Sequence, residues 1–194
     1  MTHSLSFLRD EIRSHPSNAW TLKRCYEPVF QASPFSRLAI IGQAPGSKAQ
    51  ESLLPWNDAS GDTLRTWLSL SREEFYDDSK IALVPMDFYY PGKGKSGDLP
   101  PRKDFAPLWH PRLFAEMPDL KLILLVGSYS QGYYLDKRRK ENLTETVRSF
   151  RDYLPQYIPL VHPSPLTQRW RRQNPWFEEE AVPEIREIVQ NILF

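Results

Sequence analysis

The sequence predicts an α/β fold, a single three-layer domain whose central, mostly parallel four-stranded sheet carries helices on both faces. Four short apolar runs each end on a breaker, as strands buried on both faces do. Helical patterns alternate with these runs, which implies crossover connections and a doubly wound sheet. The 194 residues, 40% hydrophobic and 25% charged, suit one globular domain with one sizeable core. No internal repeat, low-complexity tract or composition shift divides the chain, so residues 1–194 are read as one domain.

The strands are expected at Arg37 to Ile41 before Gly42, Lys80 to Val84 before Pro85, Lys121 to Val126 before Gly127, and Tyr157 to Val161 before His162. Helices are expected at Leu5 to Ser14, Asp62 to Leu70 behind Ser60 as cap, and Pro107 to Met117. Three more follow at Ser130 to Leu135, Leu143 to Tyr153 and Val182 to Leu193. Ligands of such sheets sit beyond the carboxyl ends of the strands, which directs attention to the loops opening at Gly42, Pro85, Gly127 and His162. Eighteen prolines against eight glycines predict stiff, ordered loops.

Composition narrows the function classes. With 25 basic and 24 acidic residues the chain has a formal charge of +1, so contacts with a polyanion must come from local patches. One cysteine, Cys25, makes no internal disulfide and cannot alone hold a zinc ion or an iron-sulfur cluster, which points to a reducing, cytoplasmic setting. The longest apolar runs are far below the roughly 20 residues that span a bilayer, and the N-terminus lacks the order of a signal peptide. No cofactor, metal or membrane partner is expected, and the chain is read as a monomer.

Two loops carry the chemistry. The first reads Gly42-Gln43-Ala44-Pro45-Gly46, a turn whose glycines let backbone N–H groups approach an oxygen-rich ligand, or simply turn the chain from strand to helix. The second reads His162-Pro163-Ser164-Pro165-Leu166 and runs on through Arg169, Arg171 and Arg172. A histidine at a strand end can support a leaving group, and flanking prolines keep the loop rigid. An exposed Leu166 beside arginines has the make-up of a wedge that enters a base stack while cations hold phosphates. The alternative is a histidine satisfied by backbone and a leucine packed in the core.

Together these loops resemble the two signature motifs of the uracil-DNA glycosylase superfamily. GQAPG is similar to the first motif of its iron-sulfur-bearing branch, Gly-Glu-Ala-Pro-Gly, and HPSPL to the second. Between them, Pro55-Trp56, Ser60-Gly61 and Leu64 match that branch's spacing for Pro-Phe, Ala-Gly and Leu. The resemblance runs from about Leu38 to Phe177. It implies that His162 supports the departing base, that Leu166 enters the vacated space and that Trp56 stacks on the extruded base. The chain is most similar to a bacterial group carrying GQAPG, PW-x-DASGD, SGDLPPR and HPSP followed by NPWFEEE. It departs from other branches at Ala44, where several carry a water-orienting Asp or Asn, and around Pro85-Met86, where several carry a base-reading Asn. The branch's acidic pair is here Ala49-Gln50, with Glu51 displaced by one, and its cluster cysteines are absent.

Glycosidic cleavage needs an oriented water on the sugar side and stabilisation of the anionic base on the other. Asp58, two residues after Trp56, is the first candidate for the water, with a helix-entry role as its alternative; Glu51 and Gln43 follow, Gln43 limited to hydrogen bonding. The expected base pocket comprises Gly42, Gln43, Ala44, Trp56 and Ser128, and the expected DNA contacts are Ser164, Leu166, Arg169, Arg171, Arg172 and Lys95. The Pro91-to-Gly97 segment lacks the first Walker glycine, where Tyr89 stands, and Pro100-Pro101 forbids the following helix, so it is read as a mobile lid reaching phosphates through Lys93, Lys95 and Arg102, or as a solvated loop. Lys137 to Lys140 is a second basic cluster or a solvated face, Tyr129 and Gln131 line the pocket or start a helix, and His110 is structural.

The leading expectation is a DNA glycosylase that flips a deaminated or damaged base from duplex or single-stranded DNA, in base excision repair. The alternatives are a DNA- or nucleotide-binding module that keeps the pocket without the chemistry, and a hydrolase of free nucleosides.

Overall fold

Strand residues in the computed structural model, which describes residues 4–95 and 97–194, alternate strictly between two cores. The sheet comprises β1 (Leu38–Ile41), β2 (Ile81–Leu83), β5 (Leu122–Val126) and β6 (Tyr157–Leu160), with a separate two-stranded hairpin of β3 (Lys93–Gly94) and β4 (Gly97–Asp98). The sheet order is β2-β1-β5-β6, with every pair parallel. Leu38 aligns with Ile81 on one side and with Leu122 on the other.

Because successive side chains leave a strand on opposite faces, Leu38, Ile40, Leu122, Leu124, Ile158 and Leu160 fall on one face. Ala39, Ile41, Ala82, Ile123, Leu125 and Tyr157 fall on the other. The first face is covered by α4 (Ala59–Leu68) and α10 (Val182–Leu193) through Leu64, Leu68, Ile185 and Val189. The second is covered by α1 (Leu5–Ser14) and α6 (Phe105–Ala115) through Leu8, Ile12, Trp109 and Leu113. This is the three-layer arrangement that the four apolar runs predict.

The elements differ from expectation mainly at their ends. α4 begins three residues early because Asp58, not Ser60, is its cap: the Asp58 Oδ1 accepts a hydrogen bond from the Gly61 N–H at 2.9 Å. Ser60 lies inside the first turn, in the wall of the cavity described below. The helix expected over Leu143 to Tyr153 breaks at Ser149 into α8 (Leu143–Arg148) and the 3-10 turn Phe150–Tyr153. α7 (Ser128–Leu135) starts directly on the β5 turn, where Gly127 takes a φ of 85° that a side chain would resist. Short helices that no long periodicity announces are α2 (Ala19–Leu22), α3 (Ser47–Ser52), α5 (Arg72–Phe75) and α9 (Gln168–Gln173). The segment read as a loop at Gly92 to Gly97 forms the β3–β4 hairpin.

No helix among the described residues is long and apolar enough to cross a membrane.

Candidate active site

The loops leaving β1, β2, β5 and β6 enclose a cavity of about 550 Å³ at the carboxyl edge of the sheet. Its position follows from the topology, since parallel strands turn their carboxyl ends to one side and the loops converge there. Gly42, Gln43, Ala44, Trp56, Asp58, Ser128, His162, Ser164 and Leu166 all border it, so residues spread over more than 120 positions of the sequence meet in one place.

Trp56 forms one wall. Its backbone is left-handed, with a φ of 58°, and its carbonyl oxygen lies 1.8 Å from where a Cβ on Gly61 would sit, so the first turn of α4 closes onto it. The indole in turn covers Gly42, where an added Cβ would lie 2.7 Å from the Trp56 Cζ2. Glycine is required at both points by close approach. The Tyr76 hydroxyl donates to the Pro55 carbonyl at 2.8 Å, and Arg72 donates to the Asn57 side chain, which pins the loop from behind. The result is a half-buried aromatic face held in a fixed orientation at the cavity wall.

His162 stands beside it, the two ring centroids 5.7 Å apart and the planes tilted by 33°. The His162 Nδ1 accepts a hydrogen bond from the Ser164 N–H at 3.2 Å, so a neutral ring carries its proton on Nε2. Burial lowers the imidazole pKa, while the Asp58 carboxylate works in the opposite direction. The net direction keeps His162 neutral at neutral pH, with Nε2–H as a donor. The Thr167 hydroxyl donates to both the His162 and Ser164 carbonyls at 2.8 Å, which folds the HPSPL loop into a 3-10 turn over Pro165–Thr167.

Asp58 has two jobs. One oxygen caps α4, and the other reaches within 3.9 Å of the Cβ position of Gly46, on the cavity side. The helix-entry reading of Asp58 is thus met by one oxygen, while the other stands on the cavity border. Gln43 borders the cavity, but its Nε2 donates to the Leu99 carbonyl at 3.1 Å and so ties the β3–β4 hairpin to the β1 loop.

Several expected residues stand elsewhere. Glu51 is exposed on α3 and does not border the cavity, because the buried face of that short helix is Ala49 and Gln50. Gln50 is anchored there by the Glu27 carbonyl and the Tyr90 N–H. Arg171 is committed to Glu178 at 2.7 Å and lies over the Trp67 ring. Arg102 grips the buried Asp87 through Nε and Nη2 at 2.6 and 2.8 Å and also donates to the Ser17 carbonyl and Asn18, so it is a strut rather than a phosphate contact. Gln131 donates to the Leu125 and Leu160 carbonyls and braces β5 against β6. Arg169 and Arg172 are exposed on α9, Lys93 and Lys95 are exposed on the hairpin, and Leu166 is 84% exposed at the cavity rim.

His110 is buried, donates from Nε2 to the Pro85 carbonyl at 3.0 Å and accepts at Nδ1 from the Tyr134 hydroxyl. Burial pushes its pKa down to about 4. Among the described residues no group of three or more His, Cys, Asp or Glu is arranged to hold a metal ion.

Sequence reasoning missed Asp98. It lies within the SGDLPPR stretch, whose cations drew attention instead, and the hairpin turns its carboxylate toward the cavity: Asp98 Oδ2 is 3.8 Å from the Cβ position of Gly46.

The fold and site define an α/β protein whose parallel sheet carries an aromatic face, a histidine and a carboxylate around one cavity at its carboxyl edge. The family model of the uracil DNA glycosylase superfamily matches residues 30–186, and the chain belongs to that superfamily.

Proposed function

We propose that the protein is a DNA glycosylase that draws a flipped-out base into this cavity and hydrolyses its N-glycosidic bond. The observation that carries the reading is the juxtaposition of the Trp56 and His162 rings in the cavity wall with the Asp58 carboxylate on its border. The base stacks on Trp56. As the bond between C1′ and the base nitrogen breaks, its electron pair stays with the base, and the His162 Nε2–H donates to the anion that develops. A neutral donor suits this task because its alignment is fixed beforehand by the Ser164 amide. Water held by the free oxygen of Asp58 attacks C1′ of the cationic sugar and gives its proton to that carboxylate as the new C–O bond forms; the proton then passes through solvent to the departed base anion, which leaves an abasic site and the neutral free base. Leu166 occupies the gap in the stack, and Arg169, Arg172 and Lys95 meet the phosphates of the flanking strand.

A second reading, a binding module without chemistry, draws support from Ala44, which brings no polar group to the first loop, and from the share of Asp58 spent on the helix cap. One experiment separates the two. Oligonucleotides carrying uracil, hypoxanthine, xanthine or oxidised bases are incubated with the wild-type protein and with Asp58→Asn, and abasic sites are scored. The enzyme reading expects product from the wild type and a strong loss in Asp58→Asn at unchanged thermal stability; binding without product from any lesion favours the module.

A further inference from the structure

We propose that Asp98 selects the base, accepting a hydrogen bond from an exocyclic amino group, so that the cavity prefers damaged bases that keep their amino group over deaminated ones. The inference rests on the reading of the cavity as a base pocket and concerns what that pocket recognises.

The end of β2 offers a bound base little to read. Pro85 has no N–H, its carbonyl is taken by His110 at 3.0 Å, and the next N–H, of Met86, donates to the Gly42 carbonyl at 2.9 Å. Recognition therefore falls to side chains from the loops. One of the two amide N–H donors of Gln43 is tied to Leu99, which fixes the orientation of that side chain, Asp58 is half spent on its cap, and the Thr167 hydroxyl is spent on two carbonyls. Asp98 is differently placed. Its Oδ1 accepts from the Tyr90 hydroxyl at 3.4 Å, a long bond, while its Oδ2 borders the cavity 3.8 Å from the Cβ position of Gly46, a point that the Asp58 Oδ2 approaches to 3.9 Å. The Gln43–Leu99 bond fixes the strand end on which it rides.

An ionised carboxylate accepts and cannot donate. Facing the edge of a base, it is attracted to an amino group and repelled by a carbonyl oxygen at the same position. Uracil and cytosine differ at one edge position in this way, with similar shape and stacking surface. A site that leaves a polar group unpaired with the wrong partner discriminates more strongly than one that merely changes an apolar contact.

The test uses the full chain as wild type, Asp98→Asn and Asp98→Ala. Affinities for free cytosine, isocytosine and uracil are measured by calorimetry, and abasic-site formation is scored in parallel on oligonucleotides carrying 5-hydroxycytosine or 5-hydroxyuracil. The wild type is expected to bind one or both amino-bearing bases at least tenfold tighter than uracil. Asp98→Asn, whose amide can donate to a carbonyl, should reduce that ratio at least tenfold, and Asp98→Ala should bring it near one. Thermal stability should hold in both variants, because the side chain is exposed on a hairpin. Equal ratios in wild type and Asp98→Asn, a wild-type preference for uracil, or no binding of any base would overturn the assignment. Base selectivity that depends on Asp98 without abasic sites on either oligonucleotide would instead sink the glycosylase reading and leave the recognition role standing.

Discussion

Gly42→Ala tests the aromatic wall without touching any group that does chemistry. The new Cβ would lie 2.7 Å from Trp56 Cζ2 and 3.2 Å from Cη2, so the indole must recede by about 1 Å to reach an ordinary carbon contact. The backbone of Trp56 cannot take up this movement, because its carbonyl is pressed against Gly61 and the preceding carbonyl is held by Tyr76. The side chain tips instead, and the face offered to the base tips with it. Stacking of a base on an aromatic ring contributes about 1 to 3 kcal/mol, so its loss should lower kcat/KM by roughly 5- to 150-fold. The fold should lose less, about 1 to 3 kcal/mol if the overlap is not relieved and under that if the half-buried ring swings outward. The assay pairs abasic-site kinetics with thermal unfolding for Gly42→Ala, Trp56→Ala and the double variant. Since both changes act through one ring, the double variant should be no worse than Trp56→Ala alone; independent, multiplicative losses would refute the reasoning.

Other predictions follow from the same geometry. His162→Ala should lower turnover by about 100-fold or more with little change in DNA affinity, because the Nε2–H contact strengthens as the base leaves; steady-state kinetics beside equilibrium binding would show it, and an equal loss in affinity would reduce His162 to a loop support. Leu166→Ala should change stability by less than about 0.5 kcal/mol, given its 84% exposure, yet impair activity on a duplex lesion much more than on the same lesion in a single strand. Stability should fall in mild acid through His110, whose folded-state pKa of about 4 lies below the ordinary value of 6.5. Between these values the unfolded chain binds more protons, so up to roughly 3 kcal/mol present above pH 6.5 is lost as pH falls toward 4. Denaturant titrations of the wild type and His110→Gln at pH 7.5 and 5 should show the slope in the first and a smaller one in the second.

Much of this molecule was legible in its sequence for a physical reason: the signals are local. Apolar runs such as Leu122 to Val126 bury on both faces wherever they pair, and the alternation of strand and helix patterns leaves few ways to stack them. The loops at Gly42 and His162 were legible as well, because a strand end in a parallel sheet fixes where its loop must go. Tertiary structure alone decided which charges work and which are spent. Nothing around Arg102 in sequence announces Asp87, nor around Arg171 the choice of Glu178 over Glu179 and Glu180, and Glu51 differs from its inward neighbours Ala49 and Gln50 just by the rotation of a short helix. The cap role of Asp58 and the position of Asp98 at the cavity depend on where Gly61, Gly46 and Tyr90 come to rest. A side chain's chemistry is written in its own residue, but whether a charge is free to act depends on partners that only the folded chain brings within a few ångströms.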